Sequence, residues 1–182
     1  MIFTETAIPG AWVVELERRE DERGSFARVF DADEFSARGL DPRIVQTSIS
    51  VNLRAGTLRG LHYQAAPEGE AKLIRCTRGA IFDVIVDLRT NSPSHLRWLS
   101  VELAADADRM LYVPEGVAHG FQTLAGDTEV HYQMNRAYAP SLARGVRWDD
   151  PDLGIEWPEA ERTISERDRA LPLVAGHLDH AS

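Results

Sequence analysis

Residues 56–64 read GTLRGLHYQ, and strand alternation would turn Leu61 and Tyr63 to one face and His62 and Gln64 to the other. An imidazole and an amide opposite an apolar face describe either a half-buried strand with an incidental histidine or the wall of a pocket, and these nine residues alone weigh the two evenly. Two further residues shift the balance. Lys72 is the only lysine in the chain and sits in another strand-like run, and Tyr132 lies in Val130-His131-Tyr132-Gln133. Imidazole, ammonium, phenol and carboxylate make up the set for proton abstraction beside a carbonyl. That chemistry needs a base near neutral pH, a cation at the carbonyl oxygen and an acid that returns the proton. His62 suits the first role, since an unperturbed imidazole titrates at about 6.5. Lys72 suits the second as a point charge where negative charge develops, and Tyr132 the third.

Metal chemistry is the competing reading. A cupin-type metal site has two histidines one residue apart, then a carboxylate, then a third histidine on a later strand. Here Gln64 stands where the second histidine would be, which leaves His62, Glu68 and His119. That set falls short of a convincing site, and no metal and no cofactor are expected.

The elements that would position these groups are mostly short strands. Residues 12–17 alternate weakly as an entering strand, followed by a charged turn at 18–24. Asp31 with Glu34 matches a capping box, and Phe35 with Gly39 beyond it predicts a helix of about two turns. Strands are then predicted at 46–52, 61–64, 72–77, 80–88, 97–103, 109–113 and 129–135, separated by turns such as Arg78-Gly79 and Pro114-Glu115-Gly116. This spacing favours an all-β sandwich or barrel. In 80–88 one face is apolar, while Asp83 and Asp87 interleave the other, so that face meets solvent or lines a polar cavity. After Tyr138 the prolines, glycines and tryptophans describe an irregular segment wrapped over the β core, with Trp98, Trp148 and Trp157 as core or cover residues.

At 182 residues the chain is read as one domain, 1–182, with a loosely held tail at 174–182. It shows no apolar run of membrane length and no secretory signal. Cys76 is the sole cysteine, so internal disulfides and multi-cysteine metal sites are excluded, and a cytoplasmic location is expected. The net charge of −9 argues against nucleic-acid binding but leaves an anionic small molecule open.

Several motifs occurring in order go further: DERGSF at 21–26, GTLRGLHYQ, KLIRC at 72–76, GAIFDVIVDLR at 79–89, LYVPEGVAHGFQTL at 111–124, Tyr132, YAP at 138–140, RGVRWDDPDLGIEWP at 144–158 and SERD at 165–168. From about Thr6 to Pro172 the chain resembles the dTDP-4-dehydrorhamnose 3,5-epimerase family of sugar-nucleotide cupins. The resemblance implies a cupin jelly roll with a few short flanking helices, a homodimer, no metal, and a nucleoside-diphosphate 4-keto-6-deoxy sugar, dTDP-linked, as substrate. Carried over by position, His62 is the base, Asp168 its orienting carboxylate, Lys72 the holder of the enolate and Tyr132 the acid. Arg23 and Arg59 would meet the diphosphate, Phe26, Gln46 and Tyr138 the nucleotide, and His119 the substrate pocket. On sequence alone Asp168 equally fits a capping pair with Ser165. Arg28 stands where members of the rhamnose-pathway type often carry glutamate, and Ser48 where many carry asparagine, which leaves nucleotide selectivity open. A C3- or C5-mono-epimerase, a metal-dependent cupin and a non-catalytic sugar-nucleotide binder are the alternatives.

Overall fold

The computed structural model describes residues 1–178. Its strands are β1 (Ile2–Glu5), β2 (Trp12–Glu15), β3 (Arg19–Asp21), β4 (Gly24–Phe26), β5 (Gln46–Asn52), β6 (Leu58–Gln64), β7 (Lys72–Arg78), β8 (Ala80–Asp87), β9 (Trp98–Ala104), β10 (Arg109–Val113), β11 (Val117–Thr123), β12 (Thr128–Met134) and β13 (Ala143–Gly145). Three short helices accompany them: α1 (Ala32–Ser36), α2 (Glu166–Arg169) and α3 (Val174–Leu178). One antiparallel sheet has the order β1-β2-β10-β7-β12-β5 and the other β13-β6-β11-β8-β9, while β3 and β4 form a separate hairpin. The two sheets pack face to face as the all-β jelly roll that the sequence leads one to expect.

Three apolar layers follow from strand alternation. Ile74, Leu111 and Val130 of the six-stranded sheet meet Ile81, Ile85 and Phe121 of the five-stranded one in the central layer. Leu58, Leu61, Val84 and Val86 face the other way, under Val146, Leu153 and Trp157 of the C-terminal segment. On the outer face of the six-stranded sheet, Val14, Leu73, Met110 and Tyr112 pack against Phe35 of α1. Each fully buried side chain of this size stabilises the fold by about 1.5–3 kcal/mol relative to exposure. The wrapping segment is also held through polar atoms: Trp98 Nε1 donates to Leu153 O at 2.8 Å, and Trp157 Nε1 to Trp148 O at 2.9 Å.

The predicted helix is present but shorter, with Asp31 as its cap, accepting from the Asp33 and Glu34 amides. Glu34 does not reach back to close the box; its carboxylate lies 3.4 Å from the Met1 amine. The predicted strands stand with their ends shifted by three residues or fewer. Sequence periodicity misses β1, β13, the β3–β4 hairpin and, above all, β11, all seven of whose residues are buried. The carboxylates of β8 do not meet solvent, since Asp83 and Asp87 are both 0 % exposed. The tail expected to be loose from Val174 begins as α3, with Val174 buried and its N–H donating to Asp150 Oδ2 at 2.6 Å. The remainder of that tail, 179–182, lies outside the described residues.

Candidate active site between the sheets

A cavity of about 570 Å³ is lined by residues of both sheets. His62 and Arg59 of β6 and His119 of β11 enter it from the five-stranded sheet, and Lys72 of β7 and Tyr132 of β12 from the six-stranded sheet. Asp168 and Arg167 of α2 close one side. Six of the ten residues singled out by sequence therefore share one cavity.

The geometry around His62 depends on chain segments far apart in sequence. Its Nε2 lies 2.7 Å from Asp168 Oδ1, across 106 residues. Asp168 Oδ2 also accepts from the Gly60 amide at 3.4 Å. Asp168 makes a capping contact and a histidine contact at once. Ser165 caps α2 by accepting from the Asp168 N–H at 3.1 Å, while the Asp168 carboxylate turns to the imidazole. Burial works to raise the Asp168 carboxyl, but the hydrogen bond and charge of His62, with the Gly60 and Ser165 contacts, outweigh it and hold it below the ordinary carboxylate range. An ionised Asp168 accepting from Nε2–H fixes the tautomer and leaves Nδ1 as the basic nitrogen of His62.

Asp168 reaches this position because the segment before α2 runs alongside the start of β6. Leu58 N donates to Thr163 O at 2.9 Å and Thr163 N to Gly56 O at 3.1 Å. Gln122 clamps the same segment through both atoms of its amide, to Glu159 O at 3.0 Å and Glu159 N at 2.9 Å. Gly56 permits the approach: at φ +72 its Cβ would fall 2.1 Å from Glu161 O. Gly60 does the same between strands, since a Cβ there would lie 2.5 Å from Gly120 Cα.

The other groups are each supported. Lys72 is buried with its Nζ 2.6 Å from Glu70 Oε1. Arg59 Nε donates to Asn52 Oδ1 at 2.8 Å. His119 is the register partner of His62 across β6 and β11, and its Nε2 lies 2.6 Å from Asp83 Oδ1 of β8. The Tyr132 phenol is pushed well above its ordinary range, first by burial and then by the Asp83 charge, with Arg59 opposing. It stays a neutral O–H donor at any ordinary pH.

The remaining sequence candidates lie elsewhere. Arg23, on the turn between β3 and β4, is exposed and pairs with Asp21 at 2.6 Å. Phe26 is 70 % exposed. Gln46 Oε1 accepts from the Tyr138 N–H, and Tyr138 lines a neighbouring cavity of about 240 Å³ that shares His62 and Arg167 with the first. Gln64 is consumed structurally, bonded to Glu68 O at 2.6 Å, Ala137 O at 3.1 Å and Ala139 N at 2.8 Å. Glu68 lies 3.7 Å from Arg136, and among the described residues no group of three or more His, Cys, Asp or Glu is placed to hold a metal. Sequence reasoning overlooked Arg167, a cation beside Asp168 in the SERD motif, and gave Asp83 no partner.

Compared with known proteins, residues 5–176 match the family model described as dTDP-4-dehydrorhamnose 3,5-epimerase. A dTDP-4-dehydrorhamnose 3,5-epimerase of Methanothermobacter thermautotrophicus is 44% identical over 171 residues, covering 92% of this chain and 91% of that protein. The crystal structure of a dTDP-4-dehydrorhamnose 3,5-epimerase from Bacillus anthracis with TDP and PPi bound superposes with a TM-score of 0.91 at 40% identity, over 94% of this chain and 98% of that one. A 3'-monoepimerase from Streptomyces bikiniensis in complex with dTDP-quinovose gives a TM-score of 0.90 at 36% identity, over 97% of this chain and 90% of that one.

Proposed function

The chain belongs to the dTDP-4-dehydrorhamnose 3,5-epimerase family of isomerases, and from that premise we propose that it inverts C3 and C5 of dTDP-4-dehydro-6-deoxy-D-glucose by acid–base chemistry at His62 and Tyr132. One observation carries the reading: the base and the acid stand on opposite walls of a single cavity, His62 on the five-stranded sheet and Tyr132 on the six-stranded one. Inversion requires that a proton leave one face of a carbon and another arrive at the opposite face.

In this reading the C4 ketone acidifies the neighbouring C–H bonds. His62 Nδ1 takes the proton, and Asp168 stabilises the imidazolium that forms. The electron pair moves onto the C4 oxygen as an enolate, held by the Lys72 ammonium. Tyr132 then gives its proton to the opposite face of the carbon, and the ketone re-forms. Arg59 and Arg167 suit the diphosphate, being cations at the cavity of a chain whose net charge is −9. Incubation with that substrate in deuterium oxide is expected to place deuterium at both C3 and C5. Deuterium at one carbon alone selects a mono-epimerase, the activity named for the Streptomyces bikiniensis relative, and deuterium at neither overturns the proposal.

The functional unit in this proposal is a homodimer. β1 and β5 are the two edges of the six-stranded sheet, and Val45, Ile49 and Leu53 at the β5 edge are 54 %, 62 % and 75 % exposed. Arg23 and Phe26 are exposed on their hairpin and do not line the cavity of their own chain; in the proposed dimer they enter the partner's cavity. Light scattering at working concentration is expected to give twice the chain mass of 20.3 kDa, and a monomer mass would rule the assembly out.

A further inference from the structure

His119 and Asp83 form a second histidine–carboxylate pair, with side chains only 6 % and 0 % exposed. Asp83 Oδ2 is buried without a hydrogen-bond partner. An ionised carboxylate with one oxygen left bare in an apolar core is costly. Burial accordingly pushes the Asp83 carboxyl up, against the opposing pull of His119. The pair is therefore suited to keep one shared proton, on the imidazole or on the carboxyl. Tyr132 stands edge-on to His119, ring centroids 6.0 Å apart.

The two sides of the cavity have opposite proton needs in this reaction. Two inversions deliver two protons to His62 and draw two from Tyr132, yet a phenol carries only one. His62, with 39 % of its side chain exposed, can return its proton to water between the steps. Tyr132 is half-buried on the opposite wall of the same cavity, and the nearest proton store within the protein is the buried pair to which its ring stands edge-on.

Resting on the epimerase reading above, we infer that His119 and Asp83 are the proton reservoir that reloads Tyr132 between the two inversions. In the first inversion the C–H proton passes to His62, the Tyr132 O–H bond breaks and a new C–H bond forms, leaving a phenolate. The pair then gives up its shared proton to the phenolate oxygen, restoring the phenol and leaving a neutral imidazole beside a carboxylate. Tyr132 protonates the second carbon, and the pair refills from water after product leaves. No oxidant, reductant or co-reactant enters. His119 and Asp83 act through Tyr132 and are positioning residues in this scheme.

The test is a single turnover in which enzyme equilibrated in ordinary water is mixed with substrate in excess deuterium oxide. Protium at both inverted carbons of the first product is expected. Deuterium at the second carbon overturns the inference, because a store that equilibrates with solvent before the second step is no store. Asp83→Asn and His119→Gln supply the second measurement. In each, the rate of the second inversion relative to the first is expected to fall by about 10²-fold, the size of a general-acid contribution. An equal fall at both carbons, or no change in the ratio, assigns the pair a merely structural role. Where circular dichroism finds a variant unfolded, the wild-type isotope result decides alone. Wild-type protein that places deuterium at neither carbon over many turnovers in deuterium oxide overturns the epimerase reading itself, whereas deuterium at both carbons over many turnovers together with deuterium at the second carbon in the single turnover overturns only the reservoir.

Discussion

The His62–Asp168 and His119–Asp83 pairs sit on neighbouring strands at register-matched positions and use the same ring nitrogen for their aspartate, yet access to water separates them. His62 is 39 % exposed and its aspartate is additionally tied to a backbone amide and a serine. His119 is 6 % exposed and its aspartate has an orphan oxygen. The carboxyl of the first pair is held down and that of the second is pushed up. Two copies of one chemical motif thus hold opposite electrostatic surroundings, because extra donors stabilise charge and their absence penalises it, and on that contrast rest the proposed roles of base and proton store.

Replacing His62 with Ala should break the contrast most severely, lowering deuterium exchange at both carbons by about 10²–10⁴-fold, as loss of a general base does. Nuclear magnetic resonance of the sugar protons reads the loss. If His119→Gln abolishes exchange at both carbons and His62→Ala leaves it intact, the two roles are reversed.

A second experiment sharpens the electrostatic difference through pH. Asp168 is depressed in the folded chain, so its stabilising contribution is present above the unfolded carboxyl value of about 3.9 and is lost as pH falls through the lower folded value. Asp83 is raised, so its contribution is most favourable below about pH 3.9 and is lost as pH rises through its folded value. Calorimetric melts should therefore show the Tm gap between wild type and Asp168→Asn widening as pH rises from the acid side. The gap between wild type and Asp83→Asn should move the opposite way. Parallel trends would show that the two aspartates do not differ as described.

The smallest expected effect is at the cap of α2. Ser165→Ala removes the bond to the Asp168 amide and should cost about 0.5–2 kcal/mol in urea unfolding. Activity should fall by a larger factor than an exposed helix cap elsewhere would produce, since the same turn holds the carboxylate against His62. The cap of α1 provides that control, through Asp31→Ala.

The strands with alternating faces were legible in the sequence, because one buried and one wetter side leave a period of two. β11 was not, because all seven of its residues are buried and burial on both sides erases the alternation on which such a reading depends. That is why His119 was recognisable as a candidate while its strand was not. Arg167 went unnoticed because a surface arginine beside a motif residue has no signature of its own. Gln64 read as a pocket residue and does line the smaller cavity beside His62, while its amide is bonded to three backbone groups.

By itself the sequence determined the chemical inventory: one imidazole in GTLRGLHYQ, one lysine in the whole chain, a tyrosine in a strand, and an acidic overall composition. It also determined the all-β class, through turn spacing and alternation, both of which act over a few residues. The family resemblance already paired His62 with Asp168, but only the tertiary structure brought the two into contact and gave His119 its Asp83. Asp168 arrives from 106 residues away on a segment threaded past Gly56, and Asp83 from 36 residues away on the adjacent strand. Local sequence carries periodicity, but the solvation that holds one carboxyl down and pushes the other up is set by everything packed around each pair.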